Sequence, residues 1–273
     1  VSDVPLTASY FTLTGAPPGE PPRLGLLERA EAAREAGFVS MALSPGEVGI
    51  ARAAGLSPAD LRAQLDAVGM PVTDLEPLRG WDEGEGAARE AEAAMYALAD
   101  AFGAARMIAI QVVEDVPPET VAERFAAVCD RAAAHGLTVA FEPRANSPVD
   151  APAGVAALLE RAGRDNVGIV ADCYHAHRGG WGAAELLATG LPVVGIHLND
   201  TTAVPLDSPL RDALDNRLAP GEGDVDVKGW VAALAAAGIE APFAVEVLSA
   251  TARQLPLAEA AQRAAAGARA VLG

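Results

Sequence analysis

The sequence predicts an α/β protein built as a closed (β/α)8 barrel, and two observations carry that prediction. A helical segment that ends in glycine and is followed by a β-prone run recurs seven times, at Gly37, Gly69, Gly103, Gly136, Gly163, Gly190 and Gly238. Most of these joints lie about thirty residues apart, the length of one βα unit. Hydrophobic residues make up 51% of the 273, yet aromatics are only 4%. Alanine carries much of the difference, which suits small-faced helices laid closely on a sheet.

The elements follow in order. The chain opens with a β-prone run near "LTASYFTL" (6–13), and the first joint, "EAGFVSMAL", leads into a second strand. "SPAD" at 57–60 reads as a helix start, with Ser57 as N-cap, Pro58 in the first turn and Asp60 three residues after the cap. "AVGMPVTDL" supplies strand three. Ala91, Met95, Leu98 and Phe102 then fall on one face of a helix over 91–102, ahead of strand four in "AFGAARMIAI". Val121, Phe125, Val128 and Ala132 do the same over 121–132, with Arg124 and Asp130 off that face. "AAHGLTVAFE", "RAGRDNVGIVAD", "ATGLPVVGIHL" and "AAGIEAPFAVEV" give strands five to eight. Glycine at each joint suits the left-handed residue that closes a helix. The strands are short and apolar, as expected where both faces are covered.

An open doubly wound sheet is the competing architecture. It usually carries a Gly-rich phosphate turn after strand one, and "YFTLTGAPPGE" is not one. No linker divides the chain, so residues 1–273 are expected to form one domain. The long connection 198–225, after strand seven, is expected to be an active-site loop.

Net charge is −17, and Lys228 is the one lysine. Nucleic-acid binding needs clustered Lys and Arg to displace counterions, so neither a nucleic acid nor an anionic membrane is an expected partner. Cys129 and Cys173 form no CxxC, which reads as a reduced, cytoplasmic protein. No run reaches the length of a membrane span, and no basic segment followed by an apolar run marks a signal peptide.

In such a barrel the chemistry sits where the strands end. Strand five ends at Glu142, strand six at Asp172, strand seven at His197 and strand eight at Glu246. Three carboxylates on adjacent strands repel one another without a cation, and a divalent ion accepts three oxygens and one imidazole nitrogen. The oxygen-rich set favours Mn2+, with Mg2+, Zn2+, Co2+ and Fe2+ also compatible.

The motifs "FEPR", "NVGIVADCYHAHRGG", "VGIHLND", "RLAPGEGDVD" and "FAVEVL", all within 137–250, resemble the sugar isomerase/epimerase family with a xylose-isomerase-like TIM barrel. Within it they are most similar to the inosose (2-keto-myo-inositol) isomerases. The resemblance implies that Glu142, Asp172, His197 and Glu246 are metal ligands, with Glu142 and Glu246 doubling as catalytic acid and base. It also implies that His175 and Arg217 contact substrate oxygens. Against this, His175 could cap the following helix, and Arg217 could pair with Asp212 or Asp215. Trp81 and Trp181 are candidate apolar walls for a sugar ring, with ordinary packing as the alternative. Asn199 and Asp200 are expected to orient the loop or His197. His177 and Cys173 are read as supporting residues, and "PGEGDVD" as a structural turn.

The implied activity is metal-dependent isomerisation or epimerisation of a sugar or keto-inositol through an enediolate. A lyase or dehydratase of inosose, dehydroshikimate or 3-keto-glycoside type would use the same first step. A sugar-binding barrel without turnover is the remaining alternative. A Schiff-base aldolase would need a lysine at a strand end, and Lys228 lies at a helix start. No Gly-rich cradle follows strands seven or eight, which favours an unphosphorylated polyol ketone. Arg253 is the residue placed to hold a phosphate or carboxylate if one is present. A homo-oligomer is left open.

Overall fold

A computed structural model describes residues 4–84, 86 and 88–273. Eight strands close into one parallel barrel: β1 (Leu6–Ala8), β2 (Ser40–Leu43), β3 (Val72–Leu78), β4 (Arg106–Ala109), β5 (Thr138–Phe141), β6 (Val167–Asp172), β7 (Val193–Leu198) and β9 (Phe243–Val245). β9 pairs with both β7 and β1, which completes the ring. Two further short strands, β8 (Asn216–Arg217) and β10 (Leu248–Ser249), form an antiparallel ribbon outside it.

The helices form for the reasons the sequence offers. Ser57 and Asp60 make a reciprocal capping box on the helix Pro58–Val68. The helix Arg89–Phe102 buries Met95, Leu98 and Phe102, and the helix Pro118–Ala133 buries Val121, Phe125, Val128 and Ala132. All seven joint glycines take a positive φ, from 61° at Gly163 to 89° at Gly37. At such angles a β-carbon is strained, and glycine turns the helix end into the next strand without that cost. Among the described residues no helix is long and apolar enough to cross a membrane.

The opening strand is shorter than the sequence suggests. Only Leu6–Ala8 joins the barrel, and Tyr10–Leu13 winds into a 3-10 turn. The Tyr10 N–H donates to Glu76 Oε1 at 2.8 Å, and Thr12 Oγ1 donates to the Val245 carbonyl at 2.7 Å. These bonds take the backbone away from the sheet ladder. The connection 198–225 likewise carries its own helix, Pro209–Asp215, and then β8.

Side-chain alternation sets what the barrel mouth displays. Thr7, Asp74, Ile108, Val170, Gly195 and Ala244 line a small space inside the barrel. Ala140 packs beside Ile108 and Val170 in an interior cluster. Two residues further on, the same face presents Ser9, Glu76, Ile110, Asp172, His197, Glu246 and Glu142. The ladder continues past the strand ends, with Ser9 N donating to the Val245 carbonyl, Glu142 N to that of Ala109 and Glu246 N to that of Leu198, at 3.0–3.1 Å. Asp172 and His197 are direct register partners. One interior layer therefore becomes polar at the mouth, where the strands stop.

Candidate metal centre and substrate cavity

Glu142, Asp172, His197 and Glu246 are all buried, and one ligand atom from each lies within 4.8 Å of the others. His197 Nδ1 stands 3.2 Å from Glu142 Oε1, 3.5 Å from Glu246 Oε2 and 3.9 Å from Asp172 Oδ2. Its Nε2 faces Glu76 Oε2 at 3.7 Å, so the two ring nitrogens address different carboxylates. Glu142 Oε1 and His197 Nδ1 are buried with no hydrogen-bond partner. Two unpartnered lone-pair atoms aimed at one centre fit a divalent cation, as does the surplus of buried carboxylates.

The electrostatics describe the same surplus. Burial pushes the Asp172 carboxyl above its usual range, and Glu142 and Glu246 add to the push against Arg217. Burial likewise raises Glu76, with Glu246 beside it. Burial pulls His197 down, but Glu142 and Glu246 outweigh it and hold the imidazole well above its usual value. Glu246 lies below its ordinary value because Arg217 and His197 overcome its burial.

Each side chain is held by the fold. Asp172 ends β6 and caps the helix Cys173–Gly179, with Oδ1 accepting from His175 N at 2.8 Å. Its Oδ2 accepts from Asn199 Nδ2 at 2.7 Å. The helix is thus capped by Asp172, which leaves the His175 side chain for the cavity. His175 Nδ1 accepts from Ala145 N at 3.2 Å, and Nε2 lies 3.0 Å from Arg217 Nη2. Burial, with Arg217 and Arg144 nearby, drives His175 well below its usual value and keeps it neutral.

Arg217 pairs with neither Asp212 nor Asp215. Its Nη1 donates to Glu246 Oε2 at 2.5 Å, and its Nε donates to the Ala213 carbonyl at 2.9 Å. Arg253 does pair with Asp215 and donates to the Leu214 carbonyl at 2.8 Å, bracing the helix Pro209–Asp215 instead of facing a ligand. Asp200 accepts from the N–H groups of Thr201, Gly221 and Val225, so it organises the "PGEGDVD" turn, while Asn199 orients Asp172.

Above the four residues opens a cavity of about 510 Å³. Glu76, Glu142, His175, Arg217 and Glu246 line it, together with Phe11, Ile108, Ile110, Leu214 and Leu248. Neither tryptophan does. Trp81 is packed edge-on against Phe125 and Phe141, and its Nε1 donates to the Ile110 carbonyl at 2.9 Å. Trp181 donates to the Asp150 carbonyl at 3.1 Å. The reading of these two as cavity walls is corrected: both are buried, with their polar edge spent on a backbone carbonyl.

Three cavity residues escape the strand-end rule: Glu76, Arg79 and Arg144. A signal for them exists. "LEPLR" at 75–79 and "FEPR" at 141–144 both place Glu-Pro and then Arg at the end of an apolar run.

A family model described as a xylose isomerase-like TIM barrel matches residues 30–271. An inosose isomerase of Halalkalibacterium halodurans is 31% identical over 104 residues, which span 38% of this chain and 36% of that protein's length. A crystal structure of an IolI protein with a zinc atom bound superposes with a TM-score of 0.82 at 18% identity, covering 98% of both chains. The apo 3-keto-D-glucoside 4-epimerase YcjR of E. coli superposes at 0.72 with 16% identity, covering 98% of this chain and 100% of that one. At those identities the superpositions speak to the fold.

Proposed function

The chain belongs to the xylose isomerase-like TIM barrel family, and from that premise we propose that it is a divalent-metal-dependent isomerase or epimerase acting on a sugar or keto-inositol by enediolate proton transfer. The observation that carries the reading is the convergence of Glu142, Asp172, His197 and Glu246 within 4.8 Å beneath a cavity of about 510 Å³. The volume suits a small cyclic polyol. The matched inosose isomerase supports the substrate class.

The four residues would hold the cation, Mn2+ first, and when bound it supplies Lewis-acid polarisation of the substrate carbonyl. The chain's own groups do the rest. Glu142 would offer one carboxylate oxygen to the cation and keep the other to take the proton from the carbon beside the carbonyl. Glu246 stands three places round the ring from Glu142, with β6 and β7 between them. Loaded with a proton from solvent, it would return that proton to the neighbouring carbon or to the other face, while Glu142 releases the one it took to solvent. Neutral His175 and charged Arg217 hold substrate hydroxyls, and Phe11, Ile108 and Leu248 face its carbon skeleton. Cys129 and Cys173 are both free and buried, which supports a reducing, cytoplasmic setting.

The test is a screen of keto-inositols and ketoses in D2O with added Mn2+, read by NMR. Exchange of the proton beside the carbonyl is expected, falling at least ~100-fold in Glu142→Gln and Glu246→Gln. An enone absorbance would make the enzyme a lyase. A protein that binds no divalent ion and exchanges no proton would sink the reading.

A further inference from the structure

Most arginines of this acidic chain hold a carboxylate, from Arg23 and Arg29 to Arg253 and Arg263. Arg79 and Arg144 are different. Both line the cavity above the four-residue centre, and neither makes a side-chain hydrogen bond or ion pair among the described residues. Arg144 Nε is buried with no partner at all. With 37 acidic residues against 20 Lys and Arg, carboxylates are plentiful, so two unpaired guanidiniums at one cavity are not explained by a shortage of partners.

Their placement is not incidental. Each follows a Glu-Pro pair that delivers its glutamate to the centre, Glu76 from within β3 and Glu142 just after β5. The arginine is thus fixed one or two residues beyond the proline, further up the same wall. The backbone of Arg144 is pinned as well, its N–H donating to the Val149 carbonyl and its own carbonyl accepting from Ser147 N. Glu142 and Glu246 lie near both guanidiniums but bond to neither. They stay charged, since arginine does not lose its proton in proteins.

Arg144 is half-buried with its Nε cut off from any partner, and Arg79 stands exposed on the same cavity wall. Such a guanidinium calls for an anion, and its fork matches the oxygens of a carboxylate or phosphate. We propose that the natural ligand of this cavity carries such an oxyanion, held by Arg79 and Arg144 at the outer end while its carbonyl faces the centre. The substrate is then an acidic sugar or polyol ketone instead of a neutral one. The second half of this statement rests on the proposed function, whereas the recognition of an anion rests on the cavity alone.

The test is calorimetric titration of the full chain at low salt with galactose, galacturonate and galactose 6-phosphate. It is repeated on Arg79→Gln/Arg144→Gln, whose fold is checked by circular dichroism and whose Mn2+ stoichiometry is measured. At least one anionic sugar is expected to bind ~10–100-fold more tightly than galactose, and the preference is expected to vanish in the double variant. Whichever of the two anionic sugars gains more identifies carboxylate or phosphate. Equal affinity for all three, no binding by either anionic sugar, or a preference that survives the double substitution would overturn the proposal. A protein that takes up no divalent ion but keeps the anionic preference would refute the proposed function and leave the anion site standing. Metal uptake without that preference would do the reverse.

Discussion

Asn199 holds Asp172 and the Tyr174 backbone at once: its Nδ2 donates to Asp172 Oδ2 and its Oδ1 accepts from Tyr174 N, both at 2.7 Å. One amide thereby fixes a candidate ligand and the first turn of the helix behind it. Asn199→Ala is expected to weaken Mn2+ binding by ~10–100-fold, the usual effect of removing a group that orients a ligand. Chelator competition measures it. Unchanged affinity with retained fold would show that Asp172 needs no such support.

Crowding of Glu142, Asp172, His197 and Glu246 is expected to make stability depend on a bound divalent ion. Ordinary carboxylates this close disfavour the folded state, and a cation bound only by that state stabilises it. At free Mn2+ one hundred times the dissociation constant the gain is about 2.7 kcal/mol. Thermal denaturation with Mn2+ and with chelator measures it, and Asp172→Asn should abolish most of the difference.

Asp212 sets a second, acid-sensitive anchor. It is buried and accepts from Tyr174 Oη, Arg178 Nε, Leu206 N and Asn216 Nδ2 at 2.7–2.8 Å. Burial raises its pKa, but Arg178 and the other donors outweigh it and bring the value down to about 2. Against an unfolded value of about 3.9, the folded state prefers the ionised form. This contribution is complete above the unfolded value and is lost as pH falls towards 2. Urea denaturation from pH 5 to pH 2.5 should show the loss. Asp212→Asn should flatten that part of the profile and cost about 3–5 kcal/mol near neutrality by stranding Arg178.

Trp81 belongs to the wall of the barrel and not to the cavity. Trp81→Phe keeps the aromatic contacts with Phe125 and Phe141 but removes the donor to the Ile110 carbonyl. It should cost about 1–3 kcal/mol of stability and leave KM unchanged. A raised KM with unchanged stability would return the indole to the binding site.

The barrel and its four-residue centre were legible because Glu142, Asp172 and Glu246 sit at or just past the last residue of a short apolar strand and His197 one residue before the end of its own. Glu76 was not, because it lies inside β3, with Pro77 and Leu78 continuing the strand beyond it. The end of "LTASYFTL" is β-prone by composition, yet the carboxylate of Glu76, 66 residues away, captures the Tyr10 N–H. No local propensity reports a bond across that separation. The tryptophans failed for another reason. Sequence places an indole near a strand end but does not say which side of the wall it takes, and at Trp81 Phe125 and Phe141 decided it.

The ribbon of β8 and β10 joins Arg217 to Leu248 in register, two residues beyond Glu246. A stretch inserted after the seventh barrel strand is thereby clasped to the one that follows the eighth. For anyone exchanging specificity between relatives, the transplantable unit is therefore a two-piece cartridge. A graft of 201–225 that leaves 247–250 behind would arrive without its latch, and Arg217 would lose its alignment with Glu246.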